Sequence, residues 1–175
     1  IKKEQIEELV RKKSGFEKLK ISNNKKICDL KASLGHLFEE YIVDYKYFGV
    51  YDIDTLFGNM RNIVNFTEQN YDIISFGEKQ IHDRISGPFI LFKNDKLVRE
   101  FYINEDFLKA FDYENVYCYE EKDFYQRAKD AFNIKIIYDE TNTNISNGGK
   151  LIFDCVWSAG NVYVNGDEKA LYHFY

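Results

Sequence analysis

Residues Asn24–Gly49 read NKKICDLKASLGHLFEEYIVDYKYFG. Apolar side chains at Ile27, Leu30, Leu34, Leu37, Phe38, Tyr41, Tyr45 and Phe48 recur in steps of three and four, which places them on one stripe of an α-helix. Asn23 or Asn24 can cap its start, and Gly49 can supply the left-handed residue beyond its last turn. The spacing predicts a helix over 24–49. A helix with one apolar stripe must lay it on something, so the other elements are read by how they could cover it.

Upstream, Lys2–Lys13 carries Ile6, Leu9 and Val10 on one side, with Glu4, Glu7 and Glu8 early and Arg11, Lys12 and Lys13 late, the order that the helix dipole favours. Ser14-Gly15 ends that helix, and Phe16–Ser22 is a connection. Downstream, Val50–Gly58 reads as a short extended piece and Asn59–Asn70 as a short helix, while 71–86 is mixed in period and broken at Gly77. Phe89–Phe92 and Leu97–Ile103 flank Asn94-Asp95 and predict a β-hairpin. Asn104 can cap a helix over 105–111, Val116–Tyr119 is strand-like, and Glu120–Phe132 is a second amphipathic helix with Phe124, Ala128 and Ala131 or Phe132 inward. The period then falls to two. Ile134–Tyr138, Lys150–Ser158, Val162–Asn165 and Ala170–Phe174 are strand-like, and the short Asn/Gly turns between the last three predict antiparallel pairing. Asp139–Gly149 is polar enough for an exposed loop. The expected architecture is α+β, a single domain over 1–175 with N-terminal helices packed on a mainly antiparallel sheet in two layers.

The chain has 175 residues, enough for a sizeable core, and its 15 Phe and 14 Tyr exclude a disordered chain. Asp and Glu outnumber Lys and Arg by 29 to 24, a net charge of -5, which argues against nucleic acid as the main partner and allows a basic protein partner. Cys28, Cys118 and Cys155 are odd in number and widely spaced, so neither a disulfide framework nor a metal clip is indicated, and a reducing, cytoplasmic setting is the simpler reading. No apolar run reaches membrane-spanning length, and Ile1–Lys13 is charged rather than a signal peptide, so no membrane association is expected.

Chemistry-bearing residues are present but unclustered. Asp52-x-Asp54 puts two carboxylates on one face of an extended segment, as a divalent metal on a nucleotide sugar or triphosphate would require; a solvated pair is the simpler reading. His82-Asp83 could orient a base, yet sequence neighbours seldom point at each other. His36 falls off the apolar stripe and His173 sits among aromatics; no spacing joins the histidines into a zinc site. Cys155 shares a strand face with Leu151, Phe153 and Trp157, as a small core residue would, and Asp154 points the other way. Glu39 and Glu40 with Asp154 lack the tight spacing of a metal-dependent nuclease, and no phosphate-cradling glycine motif occurs, Gly148-Gly149 being a hairpin turn. No catalytic residue, metal or cofactor is expected; the alternative is a metal-dependent nuclease or a nucleotidyl or glycosyl transferase built on Asp52 and Asp54.

The tyrosines are more informative. Tyr45, Tyr47, Tyr51, Tyr113, Tyr117, Tyr119 and Tyr125 are interleaved with acidic residues, a combination of rigid aromatic area and electrostatic steering suited to a basic protein. The candidate partner-binding residues are Asp44, Tyr47, Tyr51, Asp52 and Asp54, and Asp112, Tyr113, Glu114, Glu120, Glu121 and Asp123.

Leu34-Gly35-His36-Leu37-Phe38-Glu39-Glu40-Tyr41 resembles the helix region of the SUKH superfamily, with Gly49 at the glycine expected near the helix end. Leu56-Phe57-Gly58 and Asn62–Thr67 are similar to the segment after that family's first strand, so the resemblance covers about residues 5–70. Phe38 stands where the family has proline, and one residue is missing between Leu34-Gly35 and Leu37. The resemblance implies a small α+β immunity-type protein that binds and neutralises a toxin domain.

Overall fold

A computed structural model describes residues 2–59, 70–76, 84–85, 89–137, 141–143, 155–164, 167–169 and 171–173. The fold is α+β, with a mixed, mostly antiparallel four-stranded sheet. The chain forms two compact units, one from 1–48 and 92–131, the other from 49–91 and 132–175.

The first unit holds the helices. Helix α1 (Lys3–Ser14) ends as its sequence predicts, at Gly15 in the left-handed conformation, φ 77°, whose N–H caps Arg11 O. It buries Val10 and reaches Leu19–Ile21 through Glu7, which accepts the Ile21 N–H at 2.6 Å, and Arg11, which donates to Leu19 O at 2.8 Å. The segment expected to form one long helix does not. It is a 3-10 helix over Asn24–Ser33, a single α-turn α2 (Leu34–Leu37) and a 3-10 turn over Glu39–Tyr41, and by Tyr47 the backbone is already strand. The physical reason lies in its polar residues. Lys26, Asp29 and Ala32 are buried at a spacing of three, as are Leu30 and Ser33, and a 3-10 helix eclipses residues i and i+3. Two of those inward positions are charged, so a count of apolar side chains finds the wrong stripe.

Past 92, Asn94-Asp95 begins a helix rather than a hairpin. Asp95 caps α3 (Lys96–Glu100) by accepting the Val98 N–H at 3.0 Å. Val98 and Tyr102 are buried four residues apart while Leu97 is exposed, a helical spacing within a β-rich composition. Asn104 caps α4 (Glu105–Ala110) as expected, accepting from Asp106 N and Phe107 N. Val116–Tyr119 is not a strand, because Cys118 turns left-handed (φ 59°) into a 3-10 turn, Tyr119–Glu121. The predicted second helix follows as α5 (Asp123–Ala131), with Phe124 and Ala128 inward. Phe107 centres this core, its ring 4.7 Å from Tyr102, 5.1 Å from Tyr119 and 5.2 Å from Phe111. Gly35 has a packing reason: a Cβ there would overlap the ring of Phe48.

The second unit holds the sheets. The unit boundary falls within β1 (Tyr47–Tyr51) and β4 (Phe89–Lys93). With β3 (Ile73–Phe76) and β5 (Ile134–Ile137) they make the order β1-β4-β3-β5. Strands β3 and β5 are parallel, with Ile73 opposite Ile134, and all of β3 is buried, as central parallel strands are. Ile74, Phe76, Phe89 and Ile137 form the core of this unit. Gly49 is not a helix cap but a strand residue: a Cβ there would come within 2.7 Å of the Phe89 ring. The remaining strands are β2 (Thr55–Phe57), β6 (Thr141–Thr143), β7 (Cys155–Ser158), β8 (Asn161–Val164), β9 (Asp167–Lys169) and β10 (Leu171–His173). Strands β7-β8-β9 form an antiparallel meander. The last run departs from expectation: β10 leaves the meander to pair antiparallel with β2 and parallel with β6, which itself lies in the stretch read as a loop. The predicted helix over 59–70 lies mostly outside the described residues, as do His82-Asp83, Gly148-Gly149 and Asp154.

Candidate partner-binding surface

The first unit presents two short loops rich in tyrosine and carboxylate, each held from below by a polar anchor. After the turn Glu39–Tyr41, the chain exposes Tyr41 (73%), Val43 (72%) and Tyr45 (66%) within five residues. Asn94 fixes this loop. Its side-chain amide donates to Ile42 O at 2.5 Å and Tyr45 O at 2.7 Å, its own N–H donates to Lys46 O at 2.9 Å, and its Oδ1 accepts from Arg99 at 2.6 Å. Glu39, Glu40, Val43, Asn94 and Arg99 line a depression of about 420 Å³ beside it. Lys13 Nζ donates to Glu39 at 3.0 Å, to Glu40 at 3.4 Å and to His36 O at 2.9 Å. That hydrogen bond holds the Glu39 carboxyl below its usual range, so it stays ionised.

Beneath lies a buried polar pair. His36 Nδ1 is 3.0 Å from the Tyr102 hydroxyl, and its Nε2 is 3.9 Å from Glu100. Burial lowers the His36 pKa despite the Glu100 charge, and burial raises the Tyr102 hydroxyl. His36, expected off the packed face, is therefore a neutral internal hydrogen-bonding group near pH 7.

The second loop spans 112–118. Tyr113, 54% exposed, stacks on Tyr117 at 4.7 Å, and Lys122 sits over the Tyr117 ring at 4.4 Å. A hydrogen bond to Asp123 pushes the Tyr117 hydroxyl up to about 12, so it remains a donor. The anchor is a pair that apolar patterning passes over: Lys26 and Asp29, both fully buried and bridged to each other. Asp29 accepts the Tyr117 N–H on both oxygens at 3.0 Å and the Tyr119 N–H at 3.3 Å. Lys26 Nζ donates to Ala110 O at 2.6 Å and Asn115 O at 3.0 Å, and Asn23 donates to Glu114 O at 2.7 Å. The spacing Lys26-x-x-Asp29 with Asn23 ahead was the only available sign of this anchor.

The predicted surface residues divide accordingly. Asp44, Asp112, Tyr113 and Glu114 are exposed, Tyr47, Glu121 and Asp123 are half-buried, and Asp123 joins Tyr117. Glu120 is a correction: it is 2% exposed, 3.5 Å from Lys31, and has Oε2 without a hydrogen-bond partner among the described residues. Tyr51, Asp52 and Asp54 belong to the second unit. Asp52 and Asp54 sit on a turn closed by Thr55 N–H on Asp52 O at 3.1 Å, so the extended geometry that put both carboxylates on one face does not occur. Trp157, assigned with Cys155 to a core face, is 57% exposed. Among the described residues no three His, Cys, Asp or Glu side chains are grouped to hold a metal ion, and no helix is long and apolar enough to cross a membrane.

No curated protein matches the chain in sequence. Residues 1–174 match a family of unknown function, DUF6625, and the chain belongs to that family.

Proposed function

We propose that the chain is a non-catalytic protein-binding domain of the immunity type, which covers a basic toxin domain with the tyrosine-bearing acidic loops of its first unit. The observation that carries this reading is the Tyr41–Tyr45 loop. Three large apolar side chains stand in solvent on a backbone held by Asn94, beside Glu39, Glu40 and Asp44. Exposed aromatics on a pre-ordered loop lose little conformational entropy on binding, and surrounding carboxylates steer a basic partner into contact. The stacked Tyr113–Tyr117 pair beside Asp112, Glu114 and Asp123 is a second surface of the same chemistry. The resemblance of residues 5–70 to the SUKH superfamily supports the immunity assignment.

The test is co-purification with the polypeptide encoded next to this chain, followed by titration of the pure components. A one-to-one complex that Tyr45→Ala weakens, while the fold is unchanged, is the expected result. Failure of the wild-type chain to bind or to protect against that polypeptide overturns the reading.

A further inference from the structure

A separate groove of the first unit, about 530 Å³ in volume, is lined by Lys96, Leu97, Glu100, Phe101, Ile103 and Arg127. Its floor is apolar. Leu97 is 68% exposed, Ile103 is 36% exposed, and the Phe101 ring meets the Phe124 ring edge-on at 5.6 Å. Its charges are unequal. Glu100 lies 3.9 Å from the Lys96 ammonium four residues before it, so its carboxylate has a cation of its own. Arg127 has no such balance. Its guanidinium lies 4.6 Å over the Phe101 ring and donates to Phe101 O at 3.3 Å, and among the described residues no carboxylate is within ion-pair distance of it.

A half-buried guanidinium pre-oriented on an aromatic face has donors left for an anion, and the adjoining apolar floor would desolvate a hydrocarbon tail. We propose that this groove binds an apolar carboxylate, the acid paired with Arg127 and the tail lying over Leu97, Phe101 and Ile103. The volume falls within the range of small-ligand sites. The same chemistry is offered by a free aliphatic acid and by a peptide ending in leucine with a free C-terminal carboxylate.

The experiment is a ¹H–¹⁵N NMR titration of the full chain with octanoate, its neutral counterpart octanamide, and a short peptide ending in leucine as either free acid or amide. Saturable shifts of Leu97, Phe101, Ile103 and the Arg127 side-chain N–H, with octanamide about tenfold weaker, are expected from loss of one charged hydrogen bond. Whichever of octanoate and the free-acid peptide binds more tightly identifies the source. Arg127→Gln should weaken octanoate about tenfold. Because Arg127 also supports Phe101, a second variant is needed: Leu97→Asp, at an exposed position, should repel octanoate without disturbing the fold. Equal affinity for octanoate and octanamide, shifts elsewhere on the chain, or unchanged octanoate affinity in a folded Leu97→Asp overturns the proposal.

Discussion

Glu120 holds its carboxyl inside the first unit, and burial, outweighing the attraction of Lys31, pushes its pKa up to about 7 from an ordinary 4.5. Between those values the native state binds more protons than the unfolded chain, so this residue lowers stability as pH rises from about 4.5 to about 7. Glu120→Gln removes that dependence. Compared with wild type, the variant should gain on the order of 1–3 kcal/mol between pH 5 and pH 8 in urea unfolding; a constant difference would refute the assignment. His36 acts in the opposite direction. Its lowered pKa means that below about 6.5 the unfolded chain takes up a proton that the folded one resists, so stability falls on acidification. His36→Gln should flatten the acid limb of the stability profile. At Gly35 the issue is volume: Gly35→Ala forces a methyl group into the space of the Phe48 ring, itself stacked on Phe92 at 5.3 Å. The expected cost is roughly 1–3 kcal/mol, read as a lowered denaturation midpoint.

The 3-10 segment Asn24–Ser33 is longer than such helices usually run, and its buried polar bonds account for that. Asp29 holds the 112–118 loop through both its oxygens on the Tyr117 N–H and the turn beyond it through the Tyr119 N–H, while Lys26 closes the same loop from the other side. Asp29→Ala leaves the Lys26 ammonium buried without its counter-ion, at a cost of about 3–5 kcal/mol. Where the variant still folds, hydrogen exchange at Tyr117 and Tyr119 should accelerate before that of α1; uniform exchange would mean that Asp29 is not a local anchor. Asn94 plays the corresponding part for the other loop. Asn94→Ala should raise exchange of residues 42–46 and weaken partner binding while α5 is unaffected, because preorganisation rather than contact area is lost.

For the whole molecule, a net charge of -5 means that association with a basic partner should slow as salt rises. Reversing Glu40 and Asp44 to lysine should lower the association rate and flatten its salt dependence, whereas Tyr41→Ala and Tyr45→Ala should chiefly speed dissociation, each by tenfold or more if they are hot spots. Unchanged kinetics in both sets would remove this face from the interface. Local signals with a short-range cause were legible in the sequence: the charge order and terminal glycine of α1, the Asn104 cap, the inward Phe124 and Ala128 of α5, the period-two β5 and β8, and from them the α+β class. Each depends on residues within a few positions of one another. Tertiary structure decided what depended on distant partners. Lys26 and Asp29 are inside because backbone groups nearly ninety residues away satisfy them, and that burial gives Asn24–Ser33 its spacing of three. Asn94 stands one residue before the Asp95 cap of a helix while its amide binds carbonyls some fifty residues upstream, and β10 finds β2 and β6 rather than its neighbours in the chain. Apolar periodicity records where a side chain can avoid water; it does not record where a buried charge will find its partner.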